Sequence, residues 1–205
     1  MKGKISFAII ASMFIFILLL SFTKTANAQT ATVTIDAPDD VELGTFQVKI
    51  NITDVTGLYG WEFKLYFEND LLQYKSYSVT GHFLETGGST FQVDKCNNAY
   101  NSTHGLVWLA DSLLGAPSGV SGNGTLVTLT FNATSLGTAN LVFEDQSAAM
   151  EGKNIKLGDK SANPIANLAY DKVTNVIPEF TSTMLLITLF AAAVTTALLT
   201  KKIRK

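Results

Sequence analysis

Apolar and polar residues alternate one for one along three stretches of the chain. From Thr45 to Thr53, Phe46, Val48, Ile50 and Ile52 fall on one side and Gln47, Lys49 and Asn51 on the other. From Gly60 to Phe67, Trp61, Phe63, Leu65 and Phe67 alternate with Glu62, Lys64 and Tyr66. From Thr125 to Thr134, Val127, Leu129, Phe131 and Ala133 alternate with Thr128, Thr130 and Asn132. A period of two places successive side chains on opposite faces, so each stretch predicts a strand with one buried and one wet face. Shorter candidates are Thr32–Ile35, Leu71–Val79, Leu106–Leu109, Ala139–Phe143, Asn154–Leu157 and Ile165–Val173. Turn residues punctuate the joins at Thr56-Gly57, at Thr86-Gly87-Gly88-Ser89 and from Ser118 through Gly124. With no long amphipathic helix between them, these strands predict an all-β sandwich or jelly roll. The tryptophan and phenylalanine residues of the stripes are most simply its core.

The two ends follow a different pattern. Met1–Lys4 carry two lysines, Ile5–Phe22 are almost unbroken apolar residues, and Ala26-Asn27-Ala28 offers small residues around a cleavage point. This reads as a signal peptide over residues 1–28, cut between Ala28 and Gln29. An uncleaved anchor is the alternative. Residues 181–200 hold no charged side chain, and as a helix they would cover about 30 Å, the depth of a bilayer's hydrocarbon core. Lys201, Lys202, Arg204 and Lys205 follow at once, so a cytoplasmic basic tail over 201–205 is expected. Between the ends lie an ectodomain over 29–174 and a linker over 175–180, on the outer side of a membrane held by the C-terminal helix.

Separating the ends changes the charge. Residues 29–180 contain eight lysines and no arginine against ten aspartates and seven glutamates, a net charge of −9 that the whole-chain value of −2 conceals. Such a domain repels phosphate backbones, which excludes nucleic acid as a natural partner and disfavours anionic lipid surfaces. The single cysteine, Cys96, allows no intrachain disulfide, so the domain must hold itself together by its core. Four Asn-x-Ser/Thr sequons begin at Asn51, Asn101, Asn123 and Asn132 and suit a glycosylated outer surface. Alternation puts Asn51 and Asn132 on wet strand faces, and Asn101 and Asn123 fall in expected loops.

No catalytic constellation emerges. The two histidines, His82 and His104, stand apart in turn-like segments, and no His or Cys cluster has metal-ligand spacing. No Gly-x-Ser-x-Gly elbow is present, and the adjacent carboxylates Asp39-Asp40 and Glu144-Asp145 would point to opposite faces on a strand. Asp36, Asp39 and Asp40 lack the calcium-loop pattern and read as an acidic turn. Neither an enzyme, a metal site nor a cofactor is expected.

Several segments in order resemble the cohesin domain, the receptor module of cellulosome-like assemblies. Leu43-Gly44-Thr45-Phe46-Gln47-Val48 is similar to its early Gly-then-strand element. The passage from Gly57 to Leu72 is similar to its "strand, Tyr-Asp-Pro, then Leu" segment, altered here to Phe67-Glu68-Asn69-Asp70. Gly122-Asn123-Gly124-Thr125-Leu126-Val127-Thr128-Leu129-Thr130-Phe131 is similar to its late Gly-x-Gly strand, and Gly137-Thr138-Ala139 to the Gly-Thr before the next one. The resemblance spans about residues 31–174. It implies a jelly-roll β-sandwich of about nine strands that captures a calcium-loaded dockerin on another protein without catalysis. The implied contact face carries Glu62, Lys64 and Tyr66, together with Thr128 and Thr130. A glycan on Asn132 would share the stripe of Thr128 and Thr130 and obstruct a flat partner there. Ile177-Pro178-Glu179-Phe180 before the apolar span resembles the Pro-Glu-Phe sorting tails of archaeal surface proteins. The resulting expectation is a single-pass, cell-surface binding module for a dockerin-like protein. The alternatives are a carbohydrate-binding module for polysaccharide, with Tyr59, Tyr66, Tyr74 and Tyr77 as candidate stacking residues, or a structural glycoprotein of the cell coat.

Overall fold

A computed structural model describes residues 30–115, 118–144 and 155–178, together with position 190. The expected signal peptide with its Ala28/Gln29 cleavage point, the basic tail and, apart from position 190, the expected span lie outside the described residues. Among the described residues, no helix is long and apolar enough to cross a membrane.

The described chain forms two packed β-sheets. Its strands are β1 (Ala31–Asp36), β2 (Asp40–Glu42), β3 (Gly44–Leu58), β4 (Gly60–Glu68), β5 (Leu72–Ser78) and β6 (Thr90–Asp94). They continue with β7 (His104–Leu113), β8 (Val120–Ala133), β9 (Gly137–Phe143), β10 (Lys156–Gly158), β11 (Asn167–Tyr170) and β12 (Lys172–Ile177). A short 3₁₀ turn, Leu84–Gly87, lies between β5 and β6. One sheet has five strands in the order β11-β1-β3-β8-β5. The other has seven, ordered β2-β12-β9-β4-β7-β6, with β10 pairing to β4 beyond the end of β9. Pairing is antiparallel except for β1 with β11 and β2 with β12.

The β-sandwich expected from the alternation is therefore present, with twelve strands among the described residues rather than about nine. The extra strands have physical causes. The expected strand Ile165–Val173 breaks at Asp171, where the chain leaves the five-stranded sheet as β11 and enters the seven-stranded one as β12; the Asp171 carboxylate accepts the Phe143 amide hydrogen at 2.8 Å. The acidic stretch expected to be a turn contains β2, whose Asp40 accepts from the Asn175 side chain while Asp39 pairs with Lys172. Gly122, Asn123 and Gly124, expected in a loop, belong to β8. The register between β3 and β8 shifts there, and Gly122 (φ 125°) and Asp54 (φ 58°) adopt left-handed backbone, with the Asp54 amide donating to Asn123 Oδ1 at 2.7 Å. The bulge lets both strands run on past the irregularity.

Inward rows from both sheets make one core. Trp61, Phe63, Leu65 and Phe67 of β4 meet Val127, Leu129 and Phe131 of β8, and all are buried. Phe67 and Phe131 touch edge to face at 5.1 Å across the two sheets, and Phe63 and Phe143 do so at 5.7 Å within one. The tip of the Phe67 ring covers Gly105 of β7 so closely that a Cβ there would sit 2.1 Å from Cζ. Gly105→Ala should therefore overpack the core and cost about 1–3 kcal/mol, read as a lower urea midpoint at unchanged m-value. Adding Phe67→Leu should recover part of that loss by freeing the space; if the double variant loses the sum of both single effects, the two sites are not in contact.

One carboxylate sits on an inward row. Asp111 of β7 is 3% exposed; its Oδ1 accepts from Gln92 of β6 at 3.2 Å, and its Oδ2 meets no donor among the described residues. Burial pushes its pKa up from the ordinary 3.8, against hydrogen bonds from Gln92 and Thr90 that pull it down. The folded chain thus holds this proton more tightly than the unfolded one, so stability should fall as pH rises from about 4 through the raised pKa. Asp111→Asn removes the buried charge and should gain about 1–3 kcal/mol at neutral pH, together with a flatter profile of melting temperature against pH. A variant profile parallel to the parent's would show that Asp111 does not govern this window.

Candidate partner-binding face

Because the inward row of β4 is dry, its other row is forced outward. That row places Glu62, Lys64 and Tyr66 side by side on the outer face of the seven-stranded sheet. Across the ladder to β7, Glu62 faces Ala110, Lys64 faces Trp108 and Gly60 faces Ser112; on β6, Val93 and Phe91 extend the first and last of these rungs.

The polar part of this face is a continuous network. Lys156 of β10 contacts Glu62 at 2.7 Å, and Glu62 accepts from the Trp108 indole N–H at 3.3 Å. Lys64 and Lys95 each hold their Nζ 4.9 Å from the centre of the Trp108 rings. Lys64 also pairs with Glu144 at 2.9 Å, and Glu144 accepts from the Tyr66 hydroxyl at 3.2 Å. Tyr66 in turn packs on Tyr100, ring centres 5.7 Å apart. The hydrogen bond to Glu144 raises the Lys64 pKa, while burial and the neighbouring Glu144 charge push Tyr66 up to about 12. Exposed ion pairs of this kind contribute roughly 0–1 kcal/mol each and cation–π contacts about 0.5–1 kcal/mol. The network therefore fixes side-chain positions on the face more than it stabilises the fold.

Beside the network the face becomes apolar. Phe91 and Val93, 59% and 45% exposed, form one wall of a groove of about 860 Å³; Gly60, Ala110 and Ser112 lie along it, and the segment from Lys156 to Pro164 bounds its other side. In that segment the Asp159 carboxylate accepts from the backbone of Ser161 and Asn163 and from the Asn163 side chain, which lowers its pKa and ties the loop into a turn.

Thr128 and Thr130 lie elsewhere. They sit on β8 in the five-stranded sheet, facing Lys49 and Gln47 of β3 and Ser78 and Ser76 of β5. Alternation distinguishes in from out but not one sheet from the other, so residues expected on one contact face occupy opposite faces of the sandwich. No flat partner touches both sets. Asn132 does share the stripe of Thr128 and Thr130, and so a glycan there leaves the β4 row clear. Asn51 is outward on β3, and Asn101 stands in the exposed connection between β6 and β7, where its Oδ1 accepts from the Thr103 and His104 amides.

The four candidate stacking tyrosines do not form a row. Tyr74 and Tyr77 are on β5 and pack against the core, Tyr59 packs at the β3–β4 corner, and Tyr66 is on the opposite outer face. Cys96 is half-buried, and burial raises its pKa, the opposite of the shift that activates a thiol. Among the described residues, no group of three or more His, Cys, Asp and Glu side chains is placed to hold a metal ion. Phe91, Val93, Trp108, Ala110 and Lys156 were not singled out by sequence. The signal for β6 was the alternation in Thr-Phe-Gln-Val-Asp, whose apolar positions point outward.

Comparison with known proteins places this geometry in context. The chain is structurally similar to a non-cellulosomal cohesin from the hyperthermophilic archaeon Archaeoglobus fulgidus, with a TM-score of 0.54 and 13% identity over 72% of this chain and 91% of that one. A type II cohesin domain from the cellulosome of Acetivibrio cellulolyticus gives a TM-score of 0.58 and 16% identity over 71% and 95%. The type I cohesin–dockerin complex from Clostridium thermocellum gives 0.54 and 10% over 72% and 99%. At these identities the likeness is one of fold. No curated protein sequence matches the chain. The model of the cohesin domain family matches residues 31–166, most of the chain, and on that match the chain belongs to the cohesin family.

Proposed function

We propose that this chain is a non-catalytic cell-surface receptor that holds a secreted protein by a dockerin-like module seated on the outer face of the seven-stranded sheet. The observation that carries this reading is the groove edged by exposed Phe91 and Val93, beside a patch of fixed charges, in a cohesin fold. An apolar core with a polar rim is the anatomy of a protein interface. Solved relatives of the same fold include a cohesin–dockerin complex, which supports a partner of that class.

The ends of the sandwich suit display from a membrane. Strand β12 runs antiparallel to β9, which runs antiparallel to β4, so Ile177 leaves the sheet beyond Glu68 while the groove lies at the Gly60 end. At about 3.3 Å per residue the two are on the order of 35–40 Å apart. With the expected anchor following Ile177, the groove faces away from the membrane.

The test uses the full chain in its own membranes, exposed to secreted proteins of the source culture and eluted with a calcium chelator. A polypeptide bearing dockerin-type calcium repeats should be released. Phe91→Glu and Val93→Glu should each reduce its retention at least tenfold, about 1.4 kcal/mol, while Thr128→Glu and Thr130→Glu on the opposite sheet leave it within about twofold. Loss of retention on the threonine variants alone would move the site to the other face. If the chelator releases no such protein, the dockerin reading fails.

A further inference from the structure

The outer face of the five-stranded sheet differs sharply from the groove face. Its outward positions are Thr32 and Thr34 on β1, Thr45, Gln47, Lys49 and Asn51 on β3, and Thr128, Thr130 and Asn132 on β8, with Ser76 and Ser78 on the edge strand. Hydroxyl and amide groups dominate it across β1, β3 and β8. Among the described residues, large apolar or aromatic side chains stand only at the β11 edge, where Leu168 and the exposed Tyr170 lie beside Thr32 and Thr34. Three of the four sequons converge on this one sheet: Asn51 on β3, and Asn123 and Asn132 on β8. Sequence alone does not bring Asn51, 72 positions before Asn123, beside the other two; the pairing of β3 with β8 does.

Local geometry differs among the three. In an extended strand residues two apart share a face, so Asn51 and Asn123 each share one with the hydroxyl residue of their sequon. Thr134 of the third sequon instead follows the end of β8 and donates its hydroxyl to the Leu71 carbonyl at 3.0 Å. Asn51 accepts the Thr125 hydroxyl hydrogen on its Oδ1 at 2.8 Å, and Asn123 accepts the Asp54 amide hydrogen on its Oδ1. In both, the oxygen is tethered and, among the described residues, the Nδ2 makes no hydrogen bond. Asn132 faces Thr45 on one neighbouring strand and Gln73 on the other, short or flexible polar side chains that leave room above the sheet.

We propose that this face is an N-glycosylated shield, with oligosaccharide on Asn51, Asn123 and Asn132, which makes the module one-sided: carbohydrate on the five-stranded sheet, protein contact on the seven-stranded one. In each attachment Nδ2 forms a bond to the anomeric carbon of an oligosaccharide carried on a polyisoprenyl phosphate. The bond from that carbon to the phosphate oxygen breaks, the lipid phosphate leaves with the electron pair, and Nδ2 gives up one proton. The fourth sequon, Asn101, lies at the Glu68–His104 end of β4 and β7, away from the groove at the Gly60–Ser112 end.

The test is independent of the partner's identity. The full chain is made in a host with an active N-linked pathway, and each asparagine-bearing peptide is weighed by mass spectrometry. Peptides of Asn51, Asn123 and Asn132 should carry a glycan, and Asn123→Gln and Asn132→Gln should each lower the intact mass by one glycan. For Asn51, whose side chain holds Thr125, Thr53→Val removes the sequon and leaves that contact in place. The protein-contact half of the proposal rests on the function proposed above, and a chain with all three sites removed should retain the chelator-released secreted protein of that test within about twofold of the glycosylated chain. The proposal is overturned if the three peptides are unmodified while Asn101, or another glycoprotein of the same cells, is modified. It is overturned equally if removing the three glycans changes groove-face binding tenfold.

Discussion

Phe67 and Phe131 meet edge to face at 5.1 Å, one from each sheet, and this contact is the hinge of the whole arrangement. A buried phenylalanine contributes about 1.5–3 kcal/mol relative to exposure, and an aromatic pair about 0.5–1.5 kcal/mol more. Phe46 and Tyr74 close around the same Phe131 ring at 6.0 and 5.9 Å. With one cysteine in the chain, no internal cross-link supplements this packing, so the inter-sheet contact carries the load that disulfides carry in many small secreted domains. Gly105 is the condition for it: only a residue without Cβ leaves room for the tip of the Phe67 ring against β7.

The outer faces follow from the inner ones. Once Trp61, Phe63, Leu65 and Phe67 are committed inward, the pleat projects Glu62, Lys64 and Tyr66 outward, and the flanking strands β7 and β10 bring Trp108 and Lys156 against them. The ion pairs that result are partly exposed and contribute little to stability. Their effect is orientation, since Trp108 is held between two ammonium groups and by its own N–H and so presents a fixed surface.

Sequence periodicity revealed the long strands β3, β4 and β8, because each has a continuous dry row that only a half-buried strand explains. It missed β2, which has three residues, and it placed Ser121–Gly124 in a loop, because glycine and asparagine mark turns as often as bulges. It also joined β11 and β12, whose apolar pattern runs on through the change of sheet at Asp171. The site was legible in part for the same reason. Glu62, Lys64 and Tyr66 could be assigned outward from their neighbours, but a period of two carries no information about which sheet a strand joins, and Thr128 and Thr130 were grouped with them although they lie on the other face.

Strand β6 shows why the rest was hidden. Its alternation is inverted: Gln92 turns inward to the buried Asp111, and Phe91 and Val93 turn out to solvent. Judged by folding alone this is the wrong way round, since it leaves two large apolar groups wet and sets a carboxylate among core residues. A local conflict of that kind marks a position kept for something other than stability. The opposite sheet shows no such inversion: its outward positions on β1, β3 and β8 are polar, three of them sequon asparagines, and among the described residues apolar side chains stand only at its β11 edge, at Leu168 and Tyr170. The two faces thus differ in the direction expected if one is kept apolar for a protein and the other polar for carbohydrate, and the shared core is what keeps the two requirements from interfering.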